Sequence, residues 1–414
     1  MQTIRDRRRP NLGDNGQRRH RPDYWLPLIA TGLLGIGVVV VYAISPGVSS
    51  QKNVSETYYI SKQLLAVLFG AIAFIVLSRV PYKFWRHAIK PLIVASIIVA
   101  IIVQVAGDRI NGAYRWVQIG GFSFQAAELI KFTLLIWLAD HLAKAKQAGR
   151  LDDWHKTIKP MVLALGGIAI VVGLMESDLG SSAVMFGMVA AMVFVAGLPL
   201  KKILMIGATV AIGAVLLISA MPYRRQRLMT FLHPTADCQA SGYQSCQALI
   251  AIGSGGMFGL GIGRSVQAYG YLPEASNDSI FAILSEKFGF VGMTLILAVY
   301  AVFFGRLTKI IEKAPDDFSG YLVTGMLAWF SVQATINIGA MIGLLPLKGI
   351  TLPFISTGGT SVLFVTGALG LAFQISRYSR YSISSNNAGE KNNDDSTDGR
   401  WQRRTYYSTV RRRP

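Results

Sequence analysis

Asp278 heads the groups in this chain that could do chemistry. It closes the polar run Tyr271-Leu-Pro-Glu-Ala-Ser-Asn-Asp278, at the point where the chain enters a long apolar segment. An ionised carboxylate there could accept a proton from a sugar hydroxyl, which requires only hydrogen-bond reach. Helix capping is the competing reading, because Ser276, Asn277 and Asp278 are all good N-cap residues. At the other end of the same polar interval stand Arg224, Arg225 and Arg227. Guanidinium forks suit bidentate contact with a diphosphate. Against that stands the ordinary snorkelling of Arg at the end of a membrane span.

Two further carboxylates sit inside apolar segments. Glu128 and Lys131 are three residues apart, share a helix face and can pair. Ionisable groups at such depth line a polar cavity or lock helices together. Glu286 lies eight residues beyond Asp278, about two helical turns deeper on a similar face. It is placed to extend a polar cavity or to answer Lys131. No His, Cys and carboxylate cluster has metal-ligand spacing, and no nucleophile elbow is present. The run Gly253-Ser-Gly-Gly-Met-Phe-Gly-Leu-Gly-Ile-Gly263 lacks the preceding strand of a nucleotide loop; tight turns or close packing against a lipid-linked substrate explain it better.

The elements that must position these groups are membrane helices. The 414 residues are 52% hydrophobic and 15% charged, with mean hydropathy +0.41. That composition indicates an all-α polytopic membrane protein. Ten apolar segments are long enough to span, near 25–45, 59–80, 88–106, 126–144, 160–176, 180–199, 203–221, 279–305, 320–342 and 355–376. Residues 1–23 contain no apolar signal-peptide stretch, so the first span is expected to direct insertion. Ten spans put both termini on one side, and that side carries 30 Lys and Arg against 9 in the opposite loops. The positive-inside rule then makes both termini cytoplasmic and puts the long loop 222–278, between helices 7 and 8, outside. The net charge of +19 therefore reads as membrane topology, with no nucleic-acid partner.

The expected organisation is a basic disordered tail at 1–23, a membrane domain at 24–377, and a disordered polar tail at 378–414. Within the outer loop, the stretch from Gly242 to Ile252 is apolar at helical spacing and is expected to lie along the interface. Cys238 and Cys246 share that loop, where an oxidising compartment permits a disulfide; two free thiols are the alternative.

At this point the sequence resembles the SEDS family of cell-wall polymerases, the group of FtsW, RodA and SpoVE. The resemblance runs through ordered blocks across the membrane domain: Gly112-Ala-Tyr-Arg-Trp116, Gln125-Ala-Ala-Glu-Leu-Ile-Lys131, Asp178-Leu-Gly180 and Tyr223-Arg-Arg-Gln-Arg-Leu228. It continues through Gly242-Tyr-Gln244, Tyr271-Leu-Pro-Glu-Ala275 with Asp278, Glu286, and Asn337 to Gly359. The wording around Tyr271 and at Lys348-Gly349 looks more like the division branch than the elongation branch. The resemblance implies a ten-helix peptidoglycan glycosyltransferase of the cytoplasmic membrane, acting at the division septum. Its substrate would be lipid II, the undecaprenyl-diphosphate-linked disaccharide peptide, and its partners a class B penicillin-binding transpeptidase and other division proteins. Asp278 matches the family's essential outer aspartate, Glu128 and Lys131 its buried pair, and Arg224 and Arg227 its basic outer residues. Glu286 and Lys348 join the substrate-binding candidates on the same basis. A divalent cation, Mg or Mn, is left open. The chain departs from the family at Ser276-Asn277 (usually His-Thr), Ala126 and Cys238 (each usually Pro), Glu176-Ser177 (usually Gln-Pro) and Thr357 (usually Tyr).

The expected reaction is an inverting transfer with Asp278 as base and Arg224 and Arg227 on the departing diphosphate. Two rivals remain at the level of sequence: a lipid II flippase using the buried pair, and a non-catalytic division scaffold.

Overall fold

The computed structural model describes residues 12–13, 17–110, 113–119, 122–208, 213, 229–232, 238–239 and 242–380. The described residues fall within one compact unit, and the expected second tail lies outside them from residue 381 onward.

Long apolar helices dominate. They are α1 (Trp25–Gln51), α2 (Tyr58–Arg79), α3 (Trp85–Ala106), α4 (Ala126–Gln147), α5 (Lys159–Ile168) and α6 (Leu179–Ala196). After the outer interval come α7 (Tyr243–Ser254), α8 (Ile280–Glu312), α9 (Asp317–Met341) and α10 (Gly359–Ile375). Wider π-type turns extend α5 on both sides, so that Trp154–Met175 reads as one 22-residue span. Seven of these stretches are long and apolar enough to cross a membrane, and the 17-residue α10 adds a shorter apolar helix. The protein is thus a mostly helical, multi-pass membrane protein. Residues 200–208 are helical and begin the stretch expected as a seventh span; the rest of that stretch is outside the described residues.

Exposure follows the apolar pattern. Helices α2 and α3 are mostly uncovered, as lipid-facing helices must be, whereas α4, α9 and α10 are buried along most of their length. Helix α2 packs on α10, α6 on α9, α8 on α9 and α3 on α4. The charged α4 survives at the centre because its polar groups are partnered. Among them, Asp140 meets Lys144 and Arg86.

The outer stretch 107–125, expected as a plain loop, folds into an antiparallel sheet of β3 (Asp108–Ile110), β4 (Ala113–Ile119) and β5 (Phe122–Gln125). Its sequence explains this: aromatic and β-branched residues crowd β4, which pairs Trp116 with Gln125 and Val117 with Phe124. On the opposite face, β2 (Gln17–Arg19) pairs with β1 (Leu12–Gly13) and with β6 (Tyr378–Arg380). Arg306 clamps Asp23 there through two hydrogen bonds of 2.8 and 2.9 Å.

The glycine-rich run earns its composition by packing. Helix α8 is kinked at Gly289, whose φ is +64°. Leu260 and Gly261 donate their amides to the carbonyls of Glu286 and Lys287, while Phe290 and Val291 donate back to Gly256 and Met257. A Cβ on Gly259 would collide with the Lys287 carbonyl. Backbone meets backbone, and only glycine allows that approach.

Candidate active site

Asp278 comes to its position through its own main chain. The carbonyl of Ser276 accepts from the Thr357 amide at 2.9 Å and from its hydroxyl at 2.7 Å. The Asn277 carbonyl accepts from Ser356 Oγ at 2.7 Å. Asn337 Nδ2 donates to the Asp278 carbonyl at 2.7 Å. Three successive carbonyls are held, so the unusual side chains at 276 and 277 do not decide where the aspartate sits. Helix α8 begins at Ile280 with Ser279 as its N-cap, and no side chain caps it. The N-cap position itself falls to Ser279 rather than to Asp278.

The Asp278 side chain is nearly buried and lines a cavity of about 380 Å³. Its lining includes the carboxylates Asp178, Glu274 and Asp278, the cations Lys52, Lys62 and Arg115, and the rings of Tyr59 and Trp116. The turn at Gly349, with φ +64°, passes so close that a Cβ there would lie 3.7 Å from Asp278 Oδ2.

The two cavity aspartates differ in what they can do. Asp178 caps α6, its Oδ1 accepting from the Ser181 amide at 2.9 Å, while its Oδ2 accepts from Gln125 Nε2 at 3.0 Å. Both oxygens are committed to fixing the α6 start against the sheet. Gln125 is itself set by Thr360, whose hydroxyl accepts from the Gln125 amide at 3.1 Å and donates to the Ser123 carbonyl at 2.8 Å.

Arg115 projects from β4 and spends two of its five N–H donors on main-chain carbonyls, Nε to Glu176 at 2.7 Å and Nη2 to Ser177 at 2.8 Å. Among the described residues it forms no ion pair, and neither does Lys62, which stands 4.4 Å over the Tyr58 ring. Lys52 pairs loosely with Glu274 at 3.9 Å. Glu176, whose carbonyl Arg115 holds, is fully enclosed. Burial, then the neighbouring Asp178 charge, pushes its carboxyl up to about 8 against the pull of Arg115.

The other sequence candidates fall in different places. Glu128 and Lys131 form a buried pair at 2.7 Å. Lys131 also donates to Gln333 Oε1 at 3.3 Å and lies 5.2 Å over the Trp329 ring. Gln333 passes the connection on to Thr351 at 3.0 Å. The pair does not line the Asp278 cavity. Glu286 neither extends that cavity nor answers Lys131: it accepts from the Val266 amide at 2.8 Å, the Gln267 amide at 3.1 Å and the Ser265 hydroxyl, pinning the loop below the glycine run. Lys348 sits in the turn before Gly349, its carbonyl against Gly180. Arg224 and Arg227 lie outside the described residues. Cys238 and Cys246 are joined in a disulfide, and α7 occupies the stretch read as an interfacial helix.

Sequence reasoning did not single out Lys52, Lys62, Arg115 or Asp178 as site residues. A signal existed for the cations: all three are among the 9 Lys and Arg of the expected outer loops. Among the described residues no three His, Cys, Asp or Glu side chains converge as metal ligands, so no step below is routed through the divalent cation left open by the resemblance.

Residues 24–381 match the family model described as cell cycle protein, for FtsW, RodA and SpoVE. The chain is 36% identical over 360 residues to a probable peptidoglycan glycosyltransferase FtsW of Saccharophagus degradans, covering 86% of this chain and 92% of that one. It is likewise 36% identical over 364 residues to the stage V sporulation protein E of Bacillus subtilis, covering 87% and 98%. Among solved structures, it matches a chain from work on structural coordination of polymerization and crosslinking by a peptidoglycan synthase complex. That match has TM-score 0.71 and 25% identity, covering 86% of this chain and 98% of that one. The rod shape determining protein RodA of Thermus thermophilus matches with TM-score 0.62 and 25% identity, covering 86% and 97%.

Proposed function

The chain belongs to the FtsW/RodA/SpoVE family of cell cycle proteins, and from that premise we propose that the cavity around Asp278 polymerises lipid II. The protein is a peptidoglycan glycosyltransferase of cell division. In the full reading, ten helices cross the cytoplasmic membrane with both termini inside, and the cavity opens outside, at the septum. A class B penicillin-binding transpeptidase crosslinks the strands it makes, alongside other division proteins; likeness to a chain of a peptidoglycan synthase complex supports that pairing.

The observation that carries the reaction is that a single cavity is lined by Asp278 and by the cations Lys62 and Arg115. Asp278 takes the proton from the 4-hydroxyl of the acceptor sugar. The freed oxygen attacks C1 of the lipid-linked sugar from the side away from the diphosphate. As the new C–O bond forms, the bond from C1 to the diphosphate oxygen breaks, its electrons leave with the phosphate, and configuration inverts. Arg115, Lys62 and Lys52 meet the charge that develops there; Arg224 and Arg227 keep a proposed place as further phosphate ligands. A positioned base contributes about 10²–10⁴-fold, and the phosphate contacts a comparable factor.

The flippase reading draws less support, because Glu128 and Lys131 are tied to Trp329 and Gln333 rather than lining this cavity. Purified full-length protein incubated with lipid II is expected to give glycan strands on a gel. Translocation of labelled lipid II in vesicles with no polymer at all would favour the flippase instead.

A further inference from the structure

Gln63 lies in the second turn of α2 and lines the same cavity as Asp278. It is 1% exposed. Both its amide atoms, Oε1 and Nε2, are enclosed, and among the described residues neither has a hydrogen-bond partner. A buried donor and a buried acceptor left unmade together are costly, and native structures rarely tolerate the pair. The lipid-facing helix that carries Gln63 is otherwise apolar at this depth, with Leu64, Leu65 and Ala66 following it. Packing alone would be served by leucine or methionine.

A neutral group that offers an acceptor and a donor side by side would satisfy both atoms at once. Anionic groups are already provided for by Lys62, next to Gln63 in the chain, and by Arg115, which lines the same cavity. A secondary amide answers the requirement, since its N–H and C=O pair reciprocally with a primary amide. Resting on the polymerase reading above, we propose that Gln63 binds the acetamido group on the sugar attached to the diphosphate. That group sits on the carbon next to the reacting C1, so a contact there fixes the donor sugar in the cavity that Asp278 lines. Gln63 is then a specificity residue, selecting N-acetylated over de-N-acetylated donors.

The test is a cycle over protein and ligand in full-length protein. Affinity is measured for lipid II, for its de-N-acetylated form, and for undecaprenyl diphosphate without sugar, with the natural chain and with Gln63→Leu. The natural chain should bind lipid II at least about tenfold more tightly than the de-N-acetylated form, as one lost hydrogen-bonded pair implies. In Gln63→Leu the preference should vanish, while affinity for undecaprenyl diphosphate stays, which also establishes that the variant is folded. Gln63→Met supplies the same comparison should the leucine variant lose undecaprenyl diphosphate binding. An equal preference in natural and substituted chains, or none in the natural chain, overturns the proposal. Because binding is read without turnover, absence of polymer would sink the polymerase reading while leaving the Gln63 result legible.

Discussion

Asn337 donates its side-chain amide to the main-chain carbonyls of both Asp278, at 2.7 Å, and Ile350, at 2.6 Å. One side chain in α9 thus ties the start of α8 to the turn that brushes the aspartate. Removing it leaves two enclosed carbonyls unmatched, a cost of about 1–3 kcal/mol each, and frees the Asp278 backbone. A misplacement of about 1 Å in a reacting group can cost about 10²-fold. Asn337→Ala should therefore lower kcat on lipid II by about 10- to 100-fold with affinity largely kept. Steady-state kinetics beside a lipid II binding assay decide it; a loss of affinity with kcat intact would make Asn337 a substrate contact instead.

Arg115 joins two roles, bracing the Glu176 and Ser177 carbonyls and presenting charge to the cavity. Arg115→Ala should cost about 10²–10³-fold in kcat/KM, the scale of a lost electrostatic contact to developing charge. Arg115→Lys keeps the charge and loses the fork, and should recover part of that factor. Lys52, 57% exposed in its pair with Glu274, should change stability by less than about 1 kcal/mol on substitution. An unchanged kcat/KM in Arg115→Ala would contradict the assignment.

Glu176 predicts a pH dependence with a definite sign. Its carboxyl lies near 8 in the folded chain against 4.5 as its ordinary value. Between those values the folded protein keeps a proton that the unfolded chain releases. The contribution is complete below about pH 4.5 and drains as pH rises toward about 8, by up to about 1.4 kcal/mol per unit. Glu176→Gln removes this slope. Thermal unfolding in detergent from pH 5 to about 9 should show the natural chain losing ground steadily against the variant; parallel curves would mean that Glu176 ionises normally.

The Glu128 and Lys131 pair should behave as a structural lock. Glu128→Ala strands an ammonium group with only Gln333 and the Trp329 ring beside it, and should cost about 3–5 kcal/mol. The double replacement Glu128→Leu with Lys131→Met should regain most of that loss in a chemical unfolding series. Failure of the double variant to regain stability would point back to a role for the charges themselves.

Much of this was legible in the sequence because lipid imposes simple rules. Apolar length located the helices, and the Asp278 run stood out because a carboxylate at a span boundary needs a reason. The glycine run reads as tight turns or close packing against a lipid-linked substrate; the turns are there, at Gly256, Gly259 and Gly261 with positive φ, and the close packing that Gly255 and Gly259 make is against the backbone of α8. What sequence did not carry was the company Asp278 keeps. Asp178, Arg115 and Asn337 are far from it along the chain, and only the packing of α9, the α6 start and the sheet brings them together. Glu286 shows the complementary failure. Helical spacing put it on the Asp278 face, but the kink at Gly289 and the folded-back loop claimed its carboxylate first. Sheet β3–β5 was hidden because apolar content, not alternation, governed the reading of that stretch.

The most direct test of the central claim is lipid II polymerisation by purified Asp278→Asn protein, with lipid II affinity measured on the same preparation. A base at Asp278 predicts that affinity persists while strand formation falls by about 10²–10⁴-fold. Polymer made at the rate of the natural chain would contradict it.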